Sequence, residues 1–131
     1  MSKIIFTNGC FDILHIGHIK LLEFAKKLDG RLIVGLNSDT SVKKLKGPSR
    51  PINNENIRKE MLLAIKFVDE VIIFNQETPL DLIKNIKPDI IVKGGDYKPE
   101  EVIGGKMAEV VIFNYVDEFS TTKIIKSISD R

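Results

Sequence analysis

Two histidines, the only ones in the chain, stand three residues apart in Asn8-Gly9-Cys10-Phe11-Asp12-Ile13-Leu14-His15-Ile16-Gly17-His18. Imidazole N–H groups at this spacing, beside the free amides and positive dipole of a helix start, suit a single anionic group. They would stabilise the charge that grows during phosphoryl transfer. A pair of metal ligands is the other chemistry the spacing allows, but a zinc site would want a third ligand and none is evident nearby. The turn lacks both the G-x-G-x-x-G of dinucleotide binding and the Gly-Lys-Ser/Thr of a P-loop, so hydride transfer and ordinary ATPase chemistry are weak readings.

Two further stretches carry polar chemistry. Lys43, Lys44, Lys46 and Arg50 fall within eight positions, either as a solvated basic loop or as an anion site. Gly94-Gly95-Asp96 is either a plain turn or a place where backbone approaches a base or ribose closely while Asp96 accepts from hydroxyl or amino groups.

The elements that must position these residues alternate along the chain. Lys3-Ile4-Ile5-Phe6-Thr7 is β-branched and aromatic and runs into Asn8-Gly9, which predicts a strand ending in a tight turn. From Gly17, Ile19, Leu21, Leu22, Ala25 and Leu28 recur at helical spacing. A second strand is expected over Arg31 to Asn37, with Ser38-Asp39-Thr40 capping a short helical turn and a basic loop from Lys43 to Pro51. Asn53 or Asn54 can cap the next helix, with Ile57, Met61, Leu62, Ile65 and Val68 on its inner face. Val71 to Phe74 is a third strand. Thr78-Pro79 opens a helix carrying Leu80, Leu82, Ile83 and Ile86 that stops before Pro88. Asp89 to Lys93 and Glu109 to Phe113 complete five strands, separated by a short segment from Pro99 to about Gly104. Ser120-Thr121-Thr122 opens a last helix with Ile124, Ile125 and Ile128 inside. This alternation predicts an α/β, Rossmann-like single domain over residues 1–131, a five-stranded mainly parallel sheet with helices on both faces. Ligands bind such sheets beyond the carboxyl ends of the strands.

Composition narrows the class. A net charge of +2 is too small to argue for nucleic-acid binding, and a single cysteine excludes an internal disulfide framework. No apolar run approaches the roughly 20 residues of a membrane span, and Met1-Ser2-Lys3 leads straight into a strand candidate, so a cytoplasmic protein is expected.

The pattern Gly9-x-Phe11-Asp12-x-x-His15-x-Gly17-His18 resembles the signature of the nucleotidyltransferase superfamily that includes the cytidylyltransferases. Ser120-Thr121-Thr122-x-Ile124 is similar to its second motif. The resemblance implies that His15 and His18 contact a triphosphate and stabilise its transition state. It implies that Ser120, Thr121 and Thr122 bind phosphates, and that Lys46 reaches the α-phosphate or the acceptor phosphate from a mobile loop. It also implies that Arg58 steadies phosphates. Asn8, Gly9, Cys10, Phe11, Gly17, Gly95 and Asp96 would line the nucleotide, although a small buried residue is the plainer reading of Cys10.

Ser49-Arg50-Pro51 and the run from Val92 through Lys93 to Glu101 look like the adenylyltransferases that act on a heptose 1-phosphate. The implied reaction joins AMP from ATP to a sugar 1-phosphate, with Asp12, Lys44, Arg50 and Lys93 on the acceptor side. Mg²⁺ would be held mainly by nucleotide phosphates and water, with at most a carboxylate such as Asp12 or Asp96. Asp12 equally well just braces the turn. The implied partners are ATP and the sugar phosphate, a homodimeric second copy and a separately encoded sugar kinase, with no nucleic acid or membrane. A cytidylyltransferase acting on glycerol 3-phosphate is the alternative enzyme. Against it, the Arg-Thr-Glu-Gly-Ile stretch of that subfamily is replaced by Tyr115-Val116-Asp117-Glu118-Phe119. A non-catalytic nucleotide-binding module is the alternative of another class, and it would have no need to keep His15, His18, Lys46 and Ser120 to Thr122 together.

Overall fold

A computed structural model describes residues 3–95, 98–114 and 121–131. Asp96 and Ser120, both expected at the nucleotide, lie outside the described residues, as does the stretch 115–119. Strand β1 (Lys3–Gly9) is followed by helix α1 (Ile16–Lys26), β2 (Gly30–Asn37), α2 (Asp39–Lys46) and α3 (Glu55–Leu63). The chain continues through β3 (Glu70–Phe74), α4 (Leu80–Ile86), β4 (Ile90–Gly94), a 3-10 turn at Pro99–Glu101, β5 (Glu109–Phe113) and α5 (Thr121–Ser129).

The strands form one parallel sheet in the order β3-β2-β1-β4-β5. Strand order therefore reverses between β1 and β4, and a crevice at their carboxyl ends is the natural ligand position. Alternation along the strands sends side chains to opposite faces. Ile5, Leu32, Val34, Leu36, Val71, Ile90 and Val92 pack with Leu22 and Ala25 of α1 and Leu62 of α3. On the other face Phe6, Ile33 and Ile91 pack with Ile83 of α4 and Val102. Helices thus cover both faces, as the alternation predicts. Among the described residues no helix is long and apolar enough to cross a membrane.

Three expectations need correction. The basic stretch is not a loop from Lys43: Ser38 accepts a hydrogen bond from the Ser41 amide and starts α2, which runs to Lys46. Cations in its last turn face the negative end of the helix dipole, and Gly47 ends it with a φ of 105°. On α3, capped by Asn54, the inner face is Arg58 and Leu62, while Ile57 and Met61 are 43% and 46% exposed. Ile128 is likewise exposed at the far end of α5.

Gly35 in β2 shows how tightly the second face is filled. A Cβ there would lie 2.7 Å from the Phe6 ring and 3.2 Å from Leu82. Neither the fully buried ring nor the backbone can yield cheaply, so Gly35→Ala should lower stability by about 1–3 kcal/mol in urea unfolding, without changing the m-value.

Candidate active site at the β1 turn

The turn after β1 is strained and held from three sides. Phe11 and Ile13 adopt left-handed backbone with φ of 47° and 50°, unfavourable for a bulky and a β-branched residue. Between them Asp12 is 1% exposed, and its carboxylate accepts from the amides of Ile52 at 2.6 Å and Asn53 at 3.0 Å. Arg58 donates to the Cys10 carbonyl at 2.8 Å, and the Thr121 hydroxyl donates to the Asp12 carbonyl. The carboxylate thus accepts one backbone donor on each oxygen and braces the turn. Asp12 also lines the cleft that opens over this turn.

The histidines form the start of α1. His15 Nδ1 accepts from the Gly17 amide at 3.1 Å, and His18 Nδ1 accepts from the His15 amide at 3.3 Å, a reciprocal capping box. A ring nitrogen that accepts is unprotonated, so in each neutral imidazole the proton sits on Nε2. The rings stack with centroids 3.8 Å apart, and Phe11 lies against His18. Burial, followed by the charges of His15 and Lys46, pushes His18 down to a pKa of about 4. At neutral pH it is therefore an uncharged donor. The Gly17 amide is spent on His15, which removes it from the set of donors expected to meet a nucleotide.

A cleft of about 410 Å³ opens over this turn at the crossover in strand order. Its lining includes Asn8 to Asp12, His18, Lys46, Arg50, Lys93 and Thr121. It reaches Asn37 at the end of β2 and Glu77 and Thr78 beyond β3. A smaller lobe of about 230 Å³ shares Asn8 to Phe11, His18 and Lys93 and runs to Thr7, Leu21 and Gly94. Cys10 sits between the lobes. Its thiol is pushed up by burial, against the opposing pull of Lys46, Arg58 and Arg50, so it is a neutral wall rather than a nucleophile. Burial also lowers the Lys93 pKa.

Several expected contacts fall elsewhere. Lys44 is exposed on α2 and does not line the cleft; only Lys46 of the lysine cluster does. Thr122 is exposed and Thr121 alone of the described hydroxyls of that motif reaches the site. Gly95, with a φ of 91°, lies just past the cleft and donates its amide to Phe113. Arg58 is 1% exposed and gives its donors to the carbonyls of Asn53, Cys10 and Asn37 and to the Asp39 carboxylate. It is a strut beneath the floor and not a phosphate contact. Sequence reasoning passed over Glu77 and Thr78; their place just past a strand's carboxyl end was the available signal.

A parallel sheet whose order reverses beneath a cation-lined cleft defines a Rossmann-like nucleotide-binding domain. The chain belongs to the cytidylyltransferase-like family, whose model matches residues 6–127. It is 58% identical over 131 residues to the bifunctional protein HldE of Campylobacter jejuni subsp. doylei, covering 99% of this chain and 28% of that protein. Against the bifunctional protein HldE of Syntrophotalea carbinolica it is 50% identical over 135 residues, again covering 99% of this chain and 28% of the relative. The chain thus spans little more than a quarter of these relatives. A solved structure of a lipopolysaccharide core biosynthesis protein from Thermoplasma volcanium matches with a TM-score of 0.74 and 30% identity, over 91% of this chain and all of that one.

Two outcomes follow from the geometry. Arg58→Met would leave three carbonyls and Asp39 without their donor, and urea unfolding should show a loss of roughly 3–5 kcal/mol that Arg58→Lys does not restore. The unfolded chain protonates His18 at the ordinary value of 6.5 and the folded chain only near 4. Between these values the unfolded state binds more protons, so stability rises with pH across this window, by on the order of 2–3 kcal/mol from pH 4 to 6.5. His18→Gln keeps the capping box and should flatten that part of the stability–pH curve.

Proposed function

We propose that the chain is a nucleotidyltransferase that moves AMP from ATP to a sugar 1-phosphate, a heptose 1-phosphate by its resemblance, giving an ADP-sugar and pyrophosphate. The observation that carries this reading is the convergence of Lys46, Arg50, Lys93 and the neutral His18 on one cleft at the switch point of the sheet. Such a site suits two phosphorylated substrates brought together. The name of the Thermoplasma relative, a lipopolysaccharide core biosynthesis protein, agrees with a sugar acceptor.

An oxygen of the acceptor phosphate attacks the α-phosphorus as the bond from that phosphorus to the β-bridging oxygen breaks, and pyrophosphate leaves. A phosphate monoester is largely a dianion at neutral pH, so no general base is needed. The chain's task is positioning and charge stabilisation. His18 Nε2–H donates to a phosphoryl oxygen without adding a charge, and Lys46 and Lys93 offset the negative charge of the two substrates. His15 acts through its stack and cap on His18. Among the described residues no three His, Cys, Asp or Glu side chains converge to hold a metal. Mg²⁺ arriving with the nucleotide would draw its ligands mainly from phosphates and water, with at most a carboxylate from the chain. The sugar phosphate requires a kinase reaction upstream.

Pyrophosphate release should be measured with each of the four nucleoside triphosphates against heptose 1-phosphate and glycerol 3-phosphate. Release is expected with ATP and the heptose, and release with no pairing overturns the reading. His18→Ala should then lower kcat roughly 10²- to 10³-fold, as when a donor to the transition state is removed, while the fold persists by circular dichroism.

A further inference from the structure

We propose that Glu77 determines which acceptor the chain takes: its carboxylate accepts hydrogen bonds from hydroxyls of the sugar, at the end of the cleft away from the triphosphate. The inference rests on the sugar 1-phosphate reading and deepens it by naming the group that reads the sugar itself.

Glu77 follows β3, the edge strand, which lies two strands from β1 and on the opposite side of it from β4 and Lys93. At about 4.8 Å per strand, β3 ends roughly 10 Å to the side of the turn that leads to His18. The loop that carries Glu77 is fastened to the end of β2. The Ser38 amide donates to the Phe74 carbonyl at 2.9 Å. The Ser41 hydroxyl donates to the Gln76 carbonyl at 2.8 Å and accepts from Asn37 Nδ2 at 2.9 Å. Ser38, Ser41 and Asn37 are buried, as is Pro79 just beyond Glu77. The backbone is thus held on both sides of Glu77, and a polar side chain on such a support is presented in a fixed place.

Glu77 is exposed and lines the cleft, and its carboxylate has no hydrogen bond or ion pair with any described residue. An unpaired carboxylate in a site for two phosphates weakens the binding of both by like-charge repulsion, unless it meets a donor on one of the substrates. Sugar hydroxyls are such donors. The two oxygens of a carboxylate can accept from two neighbouring hydroxyls, and charge-assisted bonds of this kind are the strong ones. Thr78 and Asn37 line the same end of the cleft and add a hydroxyl and an amide. The smaller lobe, on the Lys93 side, has no acidic residue in its lining. Electrostatics therefore sends the more highly charged substrate, the triphosphate, to that side and the neutral, polyhydroxylated body of the sugar to the side of Glu77. An acceptor with fewer hydroxyls, such as glycerol 3-phosphate, meets the repulsion with less to offset it.

The test is steady-state pyrophosphate release with ATP, heptose 1-phosphate and its singly deoxygenated analogues. Glu77→Gln should raise KM for the sugar phosphate roughly 5- to 10-fold and Glu77→Ala roughly 10- to 100-fold, with KM for ATP within about twofold, the scale of lost charge-assisted bonds. At least one deoxygenated acceptor should be poorer than the parent sugar for the wild type and equal to it for Glu77→Ala, which couples the carboxylate to a particular hydroxyl. Inorganic phosphate should compete with the sugar phosphate as well or better in Glu77→Gln, because losing the carboxylate charge helps a bare anion, whereas a general defect of the site would weaken both. The assignment is overturned by an unchanged KM for the sugar phosphate, by deoxygenation penalties that all persist in Glu77→Ala, or by weaker competition from phosphate. It is overturned equally by a change confined to ATP or to the Mg²⁺ requirement, and in each of these cases wild-type turnover leaves the reaction standing. No turnover by the wild type removes the reaction and this assignment together.

Discussion

The clamp on Asp12 is the interaction on which the rest of the site depends. Left-handed backbone at Phe11 and Ile13 costs about 1–3 kcal/mol at each position and persists only where its surroundings over-determine it. Those surroundings come from far along the chain. The Ile52 amide lies 40 residues from Asp12, the Arg58 guanidinium 48 from the Cys10 carbonyl it binds, and the Thr121 hydroxyl 109 from the Asp12 carbonyl. One short turn thereby ties together the start of α1, the segment before α3 and the start of α5. What the strain accomplishes is placement: Phe11 folds back over Gly9 and against His18, while the chain enters α1 with His15 at its cap.

The same network explains why His18 is neutral in a site crowded with cations. Each Nδ1 is occupied by a backbone donor, which leaves Nε2 as the only place for the proton. Protonating His18 would break its bond to the His15 amide and add a positive charge beside Lys46. Burial adds to that penalty. The cleft thus holds its positive potential in lysine and arginine and keeps imidazole as a directional donor. A polyphosphate beside His18 would reverse the sign of its surroundings and make its protonation easier.

The fold was legible because strands covered on both faces read as continuous apolar runs, and all five are found within a residue or two of the runs that predict them. The motif at Gly9 to His18 was legible for a similar reason: its chemistry is contained within one local turn. What could not be read depends on contacts between distant segments. Gly47 and Pro48 mark a break and make the lysines before them look like loop, yet the cap at Ser38 carries α2 to Lys46. The apolar residues of α3 suggest an inner face through Ile57 and Met61, but the helix turns Arg58 inward because four acceptors wait for it there. Asp12 likewise shows no sign in the sequence that both its oxygens are spoken for by Ile52 and Asn53.

Arg50 and Arg58 make the same point in terms of energy. They are the same residue eight positions apart, both withdrawn from solvent, and the resemblance that gives both an anion to bind does not distinguish them. The difference lies in what surrounds each fork. Arg58 meets three carbonyls and a carboxylate at hydrogen-bond distance, so its desolvation is repaid within the fold and its contribution is to stability and to the shape of the floor. Arg50 meets one carboxylate at 3.6 Å, and among the described residues its buried Nε and Nη2 have no hydrogen-bond acceptor. A buried donor left in that condition costs stability, so Arg50 does not recover its desolvation within the fold as Arg58 does. Residue type and burial alone would group the two arginines together; the count of satisfied donors separates them.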